Sequence, residues 1–505
     1  MAGPATGACG WSPRWSAKKH QIRLPLTNGT TDRPDETAGG AYGFGVELSG
    51  MATIALIEPQ APGYHVYSFA ALPRLGLPSL GAVLRGLGHQ VRIYCQGLAR
   101  VRLPDLLDAD LIGISTTTST APEAYRIADA VRAHGKPVLI GGVHATFRPA
   151  EALEHADCCL VGEAESVIGE VVEQMLARAQ PHGVANACFR LPDHTVRDGK
   201  LCRVADLDSL PFPDLSLIQG WRPGAITPVM TSRGCPYDCT FCAVAPMFGR
   251  RYRFRSSELV LEELRQREPR TAFFYDDNFA ADHRRTREML EGLMRLPHPP
   301  RWLAQVRADV TEDRELVALM QASRCDRLFI GYESISPETL QSYNKHLNPE
   351  QVLESVRVLH EHKIKVHGMF VLGADADDES SIRRTVRFAV QHALDSVQFL
   401  ILTPLPGTRQ FELLERAKRI FVRDWSLYDG HHVVYQPLRM TAAALQQEAS
   451  KAHKRFYSAW QCAKAFARLR FEEGILKTYG RAITYLGDWQ SRRFARTLPK
   501  TPFGG

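Results

Sequence analysis

From Thr53 onward the chain alternates short apolar runs with amphipathic stretches. Runs at 53–57, 110–115, 137–140 and 157–161 have the length and continuity of buried strands, and 78–88, 121–134 and 165–179 carry helical periodicity. Strands separated by helices pair in parallel, so residues 51–180 are expected to form a doubly wound, flavodoxin-like α/β domain. Residues 181–224 break the rhythm with Pro, Gly and Asp, including Leu210-Pro211-Phe212-Pro213-Asp214, and read as a linker. A second series begins at Ile226, with strands expected at 227–231, 271–275, 302–306, 328–331, 366–372 and 397–402. Asn348-Pro349 and Ser336-Pro337 each set a capping side chain before a proline at the first helical position, and Val352, Val356 and Leu359 stripe the helix that follows. Six such alternations predict a partial (β/α)6 TIM-like barrel over 225–410, with its chemistry at the carboxyl ends of the strands. After Phe411 the strand signal fades, leaving a mostly helical region, 411–505. Residues 1–50 show neither period and are expected to be a disordered leader, or translation from an upstream start with Met51 the true first residue.

Composition narrows the class. With 505 residues and 44% hydrophobic content the chain can bury several ordinary cores. It has no apolar run long enough to span a bilayer and no secretory signal pattern, so a cytoplasmic protein is expected. Eleven cysteines are too sparse for a disulfide scaffold, and clustered thiols in a reducing compartment bind metal or do redox work. The net charge of +7 is uneven: 451–505 holds 12 Lys or Arg against 3 Asp or Glu, and the remainder is slightly acidic. That distribution gives no basis for nucleic-acid binding.

One cysteine cluster is tight. Cys235, Cys239 and Cys242 lie in Arg233-Gly-Cys-Pro-Tyr-Asp-Cys-Thr-Phe-Cys-Ala243, directly after the first expected barrel strand. Chance produces such a spacing about 0.005 times per chain of this composition. A loop opened by Gly234 and Pro236 at a strand's carboxyl end can wrap an iron–sulfur cube and turn backbone N–H groups toward its sulfides. Three protein ligands on four irons leave one iron open to a chelating substrate. The alternatives are a zinc site completed by a distant histidine, an electron-transfer centre without catalysis, or free thiols.

The C-x3-C-x-Φ-C pattern, with Phe241 as Φ, resembles the radical S-adenosylmethionine superfamily, and the likeness extends over some 200 residues. The resemblance implies a [4Fe–4S] cluster on the three cysteines, whose open iron chelates the amino and carboxylate groups of S-adenosylmethionine. One electron then splits the S–C5′ bond to give a 5′-deoxyadenosyl radical. It also implies that Phe241 lies along the adenine, that Asp276 or Asp277 meets the amino group, and that Gln305 and Arg307 contact the sulfonium or carboxylate. Glu333 matches the ribose position, Gly368 and Gly373 would let adenine approach the fifth strand, and Gln398 with the 403–407 turn closes the sixth.

In the front domain the strand-end segments are 115–120, 141–146 (Gly-Gly-Val-His-Ala-Thr) and 161–163, which a doubly wound sheet brings to its carboxyl edge. Their order resembles the cobalamin-binding domain that precedes the barrel in one branch of the superfamily (class B-like). By that resemblance Ser115, Thr116, Gly141, Gly142 and Gly162 line the slot for the cofactor's nucleotide tail, and the corrin lies between the domains. D-x-H-x-x-G is absent, so no protein histidine is expected on cobalt, neither His65 nor His144. A purely structural flavodoxin-like domain is the other reading.

Two such cofactors point to work at an unactivated C–H bond. Methyl transfer is the leading expectation, with radical cyclisation or rearrangement as the alternative. The substrate is expected to be a small molecule or a lipid, and the electron donor a flavodoxin or ferredoxin, steered by the arginines of 250–255 unless these form a solvated face. In the tail, Phe456, Tyr457, Trp460, Phe466, Phe471, Tyr479, Tyr485 and Trp489 interleave with Lys and Arg. That mixture suits peripheral contact with an anionic membrane, a cap over substrate, or a lid on the barrel with a solvated basic face.

Overall fold

A computed structural model describes residues 50–61, 72–191, 196–197, 199, 201–224 and 226–501. In the front domain, β1 (Thr53–Glu58), β2 (Gln90–Cys95), β3 (Leu111–Ser115), β4 (Val138–Gly141), β5 (Cys158–Leu160), β6 (Ala187–Arg190) and β7 (Val196–Arg197) form one sheet in the order β2-β1-β3-β4-β5-β6-β7. The first five are parallel, in the order of a flavodoxin-like sheet. Successive residues of a strand face opposite sides, so Ile54 and Leu56 enter one core while Ala55 and Ile57 enter the other.

Two features differ from the sequence reading. Strand β2 alternates exposed with buried positions at its start, because an edge strand covers one face only, and it therefore shows no apolar run. The stretch expected as a linker completes the front sheet: β6 pairs antiparallel with β5 and β7 with β6. Leu215, Leu217 and Ile218 from the same stretch are buried in the front core.

The second sheet is a partial barrel. It runs β15-β14-β13-β12-β11-β8, all parallel, with β8 (Thr227–Val229), β11 (Thr271–Phe274), β12 (Arg301–Val306), β13 (Cys325–Glu333), β14 (Lys365–Leu372) and β15 (Ser396–Ile401). Between β8 and β11 a short antiparallel hairpin, β9 (Ser232–Arg233) with β10 (Arg253–Phe254), holds the cysteine loop. Phe274, Trp302, Ala304, Leu328, Ile330, Val366 and Phe370 are buried in the core shared with the surrounding helices. The intervening residues, among them Phe273, Gln305, Phe329, His367 and Gln398, are half-buried and line the inner surface. The capping expected at Asn348 is present: its side chain accepts from Gln351 N at 2.8 Å.

A sheet that stops at six strands leaves β15 as an edge, and the C-terminal region covers it. Val397 N–H donates to Tyr457 Oη at 3.0 Å and Tyr457 Oη donates back to Val397 O at 2.8 Å. Phe399 N–H donates to His453 Nε2 at 3.3 Å, and Ile401 N–H to Gly430 O at 2.7 Å. Every second backbone donor of β15 is thus satisfied by a side chain or loop instead of by a seventh strand.

Candidate active site

The cysteine loop is shaped by backbone requirements at both ends. Gly234 has φ +87°, and a Cβ there would stand 2.6 Å from Arg251 O, so the chain can close only with glycine. Inside the loop Cys242 N–H donates to Cys239 O at 3.2 Å, and Val244 N–H donates to Cys242 Sγ at 3.4 Å. Neighbouring elements pin the outside: Thr240 N–H donates to Tyr343 O at 3.1 Å, Gln410 N–H to Thr240 O at 3.0 Å, and Asn344 Nδ2 to Asp238 O at 3.0 Å. Phe241 packs edge-on against Tyr343 at 4.9 Å between ring centres. Burial pushes the Cys235 thiol up and the Cys242 thiol to about 12, and the Asp277 carboxylate adds to both. Those two thiols therefore keep their protons until a cation replaces them.

The two adjacent carboxylates at the end of β11 have separate tasks. Asp276 is buried and accepts from Thr231 N (2.9 Å), Thr231 Oγ1 (2.8 Å), Ser232 N (2.5 Å) and Ser232 Oγ (2.9 Å), tying the end of β11 to the start of the cysteine loop. It is committed to the fold and does not face a ligand, contrary to one of the two options read from sequence. Asp277 is the member exposed at the barrel mouth, and desolvation together with the Asp276 charge pushes it up to about 7.

The later strand ends converge on the same mouth. Arg307 is buried, stacks 3.7 Å above the Tyr237 ring, and donates to Asp309 Oδ2 at 3.1 Å and Lys345 O at 2.6 Å. Glu333 sits at φ +64°, where β13 loses register, and takes Lys345 Nζ at 2.9 Å. Gln305 and Gln398 are half-buried on the inner surface, where His367 Nδ1 lies 2.8 Å from Ser396 Oγ. At Gly368 a Cβ would meet Leu394 at 2.9 Å and Phe370 at 3.1 Å, so its missing side chain opens the helical side of β14 and not the inner surface, unlike the expectation from sequence. Gly373, at φ +99°, answers a close approach of Tyr435 and Leu445.

At the carboxyl edge of the front sheet, Ser115, Gly141 and Gly162 are half-exposed. Thr116 is buried, donates to Gly141 O at 2.8 Å and accepts from Ala145 N at 3.2 Å; its hydroxyl joins β3 to β4 and does not line a slot. Gly142, at φ +96°, would place a Cβ 2.5 Å from Thr116 O, so it serves the same junction. His144 is enclosed, with Nε2 3.4 Å from Glu151 Oε1 and its ring edge-on to Trp425 at 5.2 Å, which turns it away from the edge. His65 lies outside the described residues.

Between the front edge and the cysteine loop is a buried ion-pair cluster that the sequence did not disclose. Glu163, next to Gly162, accepts from both terminal nitrogens of Arg253, one at 2.8 Å, and from Val204 N at 2.7 Å. Glu165 pairs with Arg233 at 2.5 Å, and Arg233 approaches Glu163 at 3.7 Å. Burial alone would raise Glu165, but the Arg233 guanidinium outweighs it and holds the carboxyl below its usual range. Arg233 and Arg253 are the two facing strands of the hairpin that carries the cysteines. The arginine run 250–255 is therefore not a solvated face throughout: Arg253 and Arg255 are buried, and Arg255 pairs with Glu263 at 2.5 Å.

Comparison with known proteins agrees with this two-part site. The model of the radical SAM superfamily matches residues 229–389, and that of the B12 binding domain matches residues 69–172. Bacteriochlorophyllide d C-12(1)-methyltransferase of Chlorobaculum tepidum is 32% identical over 364 residues, covering 70% of this chain and 76% of that protein. The chain belongs to the cobalamin-binding branch of the radical S-adenosylmethionine superfamily. Anaerobic magnesium-protoporphyrin IX monomethyl ester cyclase of Cereibacter sphaeroides is 27% identical, with 81% of this chain and 68% of that one covered. Among solved structures, the cobalamin-dependent S-adenosylmethionine radical enzyme OxsB, with aqua-cobalamin and S-adenosylmethionine bound, superposes at a TM-score of 0.64 and 16% identity, covering 90% of this chain and 77% of that one.

The residues of this radical S-adenosylmethionine enzyme fit the cofactors of its family: a [4Fe–4S] cluster, S-adenosylmethionine and cobalamin. Cys239 lies near enough to raise the Cys235 and Cys242 thiols, and Cys235 near enough to raise that of Cys242. A cube takes each thiolate on a different iron, and the three cysteines of this one loop supply three such ligands. Ser115, Gly141 and Gly162, the last at φ +72°, are partly exposed at the carboxyl edge of the sheet in the domain that matches the B12 binding model. No helix among the described residues is long and apolar enough to cross a membrane.

Proposed function

We propose that this enzyme transfers a methyl group to an unactivated carbon of its substrate. The observation that carries this reading is the Glu163–Arg253 and Glu165–Arg233 cluster, which fastens the corrinoid edge of the front sheet to the hairpin of the cysteine loop. Methyl transfer to a substrate radical needs both cofactors within reach of one carbon, and a rigid buried contact between their two loops supplies that. When bound, S-adenosylmethionine on the cluster supplies a carbon radical and cobalamin supplies the methyl group.

The chain's own residues bind and orient. Cys235, Cys239 and Cys242 hold the cluster. We assign Phe241 to the adenine side, Asp277 to the amino group, Gln305 and Arg307 to the carboxylate or sulfonium, and Glu333 and Gln398 to the sugar side. Ser115, Gly141 and Gly162 take the corrinoid tail. An acidic flavodoxin or ferredoxin would meet Arg250 and Arg251, which stay exposed beside the loop, and the C-terminal region would touch lipid.

Cyclisation without methyl transfer is the second reading, favoured by the likeness to a cyclase. Reduced, anaerobically reconstituted enzyme should form S-adenosylhomocysteine together with 5′-deoxyadenosine, the former only when cobalamin is supplied. Formation of 5′-deoxyadenosine alone, indifferent to cobalamin, would select cyclisation. Loss of neither product on changing all three cysteines to alanine would end both readings.

A further inference from the structure

The C-terminal helix, Phe471–Ala495, is amphipathic in the reverse of the usual sense. Three of its charged residues turn inward: Lys477 is buried, pairs with Glu473 at 2.6 Å and lies 5.1 Å over the Phe456 ring, while the buried Asp488 takes Lys454 and the otherwise exposed Arg492. Its solvent face is apolar. Phe471, Ile475, Tyr479 and Leu486 are 58%, 65%, 49% and 54% exposed, and their spacing places them on one side of the helix along about 22 Å. Phe466 of the preceding helix, 37% exposed, lies 6.4 Å from Phe471 and joins the patch, and Trp460 and Leu469 of the same segment are 73% and 75% exposed. Of the 18 large hydrophobic residues exposed among the described residues, 8 fall between Trp460 and Leu486. Scattered exposure is ordinary, but a concentration of this kind marks a contact surface.

Charge selects the occupant. Arg468 and Arg470 stand exposed at one end of the stripe and Arg492, Arg493 and Arg496 at the other, within a tail that carries 12 basic and 3 acidic residues. A second copy of this surface would bring like charge against like charge. We propose that this face docks in the headgroup region of an anionic bilayer, with Ile475, Leu486 and the aromatics inserted and the arginines on lipid phosphates. The inference deepens the reading of the C-terminal region as a lipid contact and is independent of methyl transfer.

The test is co-sedimentation of the full chain with phosphatidylcholine vesicles, with and without phosphatidylglycerol. Binding is expected to the anionic vesicles and to fall at high salt. The double variant Ile475→Glu, Leu486→Glu should bind at least about tenfold more weakly, with formation of 5′-deoxyadenosine unchanged as proof of an intact barrel. Should that variant not fold, Arg493→Gln with Arg496→Gln carries the test and should also weaken binding. Absence of binding to anionic vesicles, equal binding by the folded variants, or conversion of a dimer to a monomer by the glutamate pair would overturn the proposal, the last by identifying a second copy as occupant. Failure here leaves product formation untouched, so it is distinguishable from failure of the radical reading.

Discussion

The change Glu163→Gln tests whether the two cofactor loops are mechanically one unit. The glutamate side chain has no exposed surface and Arg253 only 7%, so the pair lies where charges are weakly screened. Glutamine keeps the shape but replaces one acceptor oxygen by a donor. That NH2 then faces an Arg253 nitrogen, or Arg253 together with the Val204 N–H that now donates at 2.7 Å. Arg253 retains backbone acceptors at Val204 O and Phe248 O, so its hydrogen bonds survive better than its charge. Breaking a buried pair from one side costs about 3–5 kcal/mol, and the retained acceptors put this case at the lower end, about 3 kcal/mol. Read by hydrogen exchange on the apo chain, peptides over 162–166 and 234–254 should exchange roughly hundredfold faster, with those over β13 unchanged. A double-mutant cycle with Arg253→Met should be non-additive by about 0.5–3 kcal/mol. In the reconstituted enzyme S-adenosylhomocysteine should fall relative to 5′-deoxyadenosine, because the radical half keeps its own ligands. Unaltered exchange at the loop, or strict additivity with Arg253→Met, would refute the coupling.

Further consequences concern the loop, the barrel edge and acid stability. Gly234→Ala forces a side chain onto a backbone at φ +87° and against Arg251 O; at about 1–2 kcal/mol for the conformation alone, reconstituted iron content should drop while β13 stays protected from exchange. Tyr457→Phe strands the N–H and C=O of Val397 at the barrel edge and should cost about 1–3 kcal/mol in urea unfolding; an unshifted midpoint would show that water replaces the hydroxyl. His367 is pushed down to about 3 by burial, helped by Arg327, from an ordinary 6.5. Between those values the unfolded chain binds one more proton than the folded one, so stability falls as pH drops below about 6.5, by up to about 1.4 kcal/mol per pH unit. His367→Gln should flatten that slope, and equal slopes in parent and variant would contradict a neutral buried ring.

What the sequence disclosed follows from how local each signal is. Three thiolates within eight residues carry their chemistry in their spacing, and central parallel strands announce themselves as apolar runs. Edge strands β2 and β7 cover fewer faces and give weaker patterns, and β6, four residues among turn-rich sequence, is too short to announce itself. Asp276 and Asp277 are neighbours in sequence, and only the turn after β11 decides which one caps Thr231 and Ser232 and which one faces the mouth. Gly368 was legible in principle, since Val366 and Phe370 share its parity and are apolar while His367 and Met369 are on the other face. Arg253 was not, because its partner Glu163 lies 90 residues away, and an arginine run without a local acidic partner looks like a solvated one.

The C-terminal region completes the barrel where its own six strands leave it uncovered. Its edge function, through Tyr457 and His453, closes the side of the sheet that six strands leave open. Its last helix then passes the amino-terminal rim, where Glu472 pairs with Lys365 at 2.6 Å and lies 3.7 Å from Arg327, at the starts of β14 and β13. Those pairs cross the floor below Phe329 and His367, whose rings lie 4.7 Å apart on the inner surface. The C-terminal region thus covers the β15 edge and crosses the floor, and it also reaches the carboxyl ends of the strands, where Tyr435 Oη donates to Gly373 O and Arg419 pairs with Asp375 at 2.6 Å. The segment that offers an apolar face outward is therefore the one that completes the barrel inward.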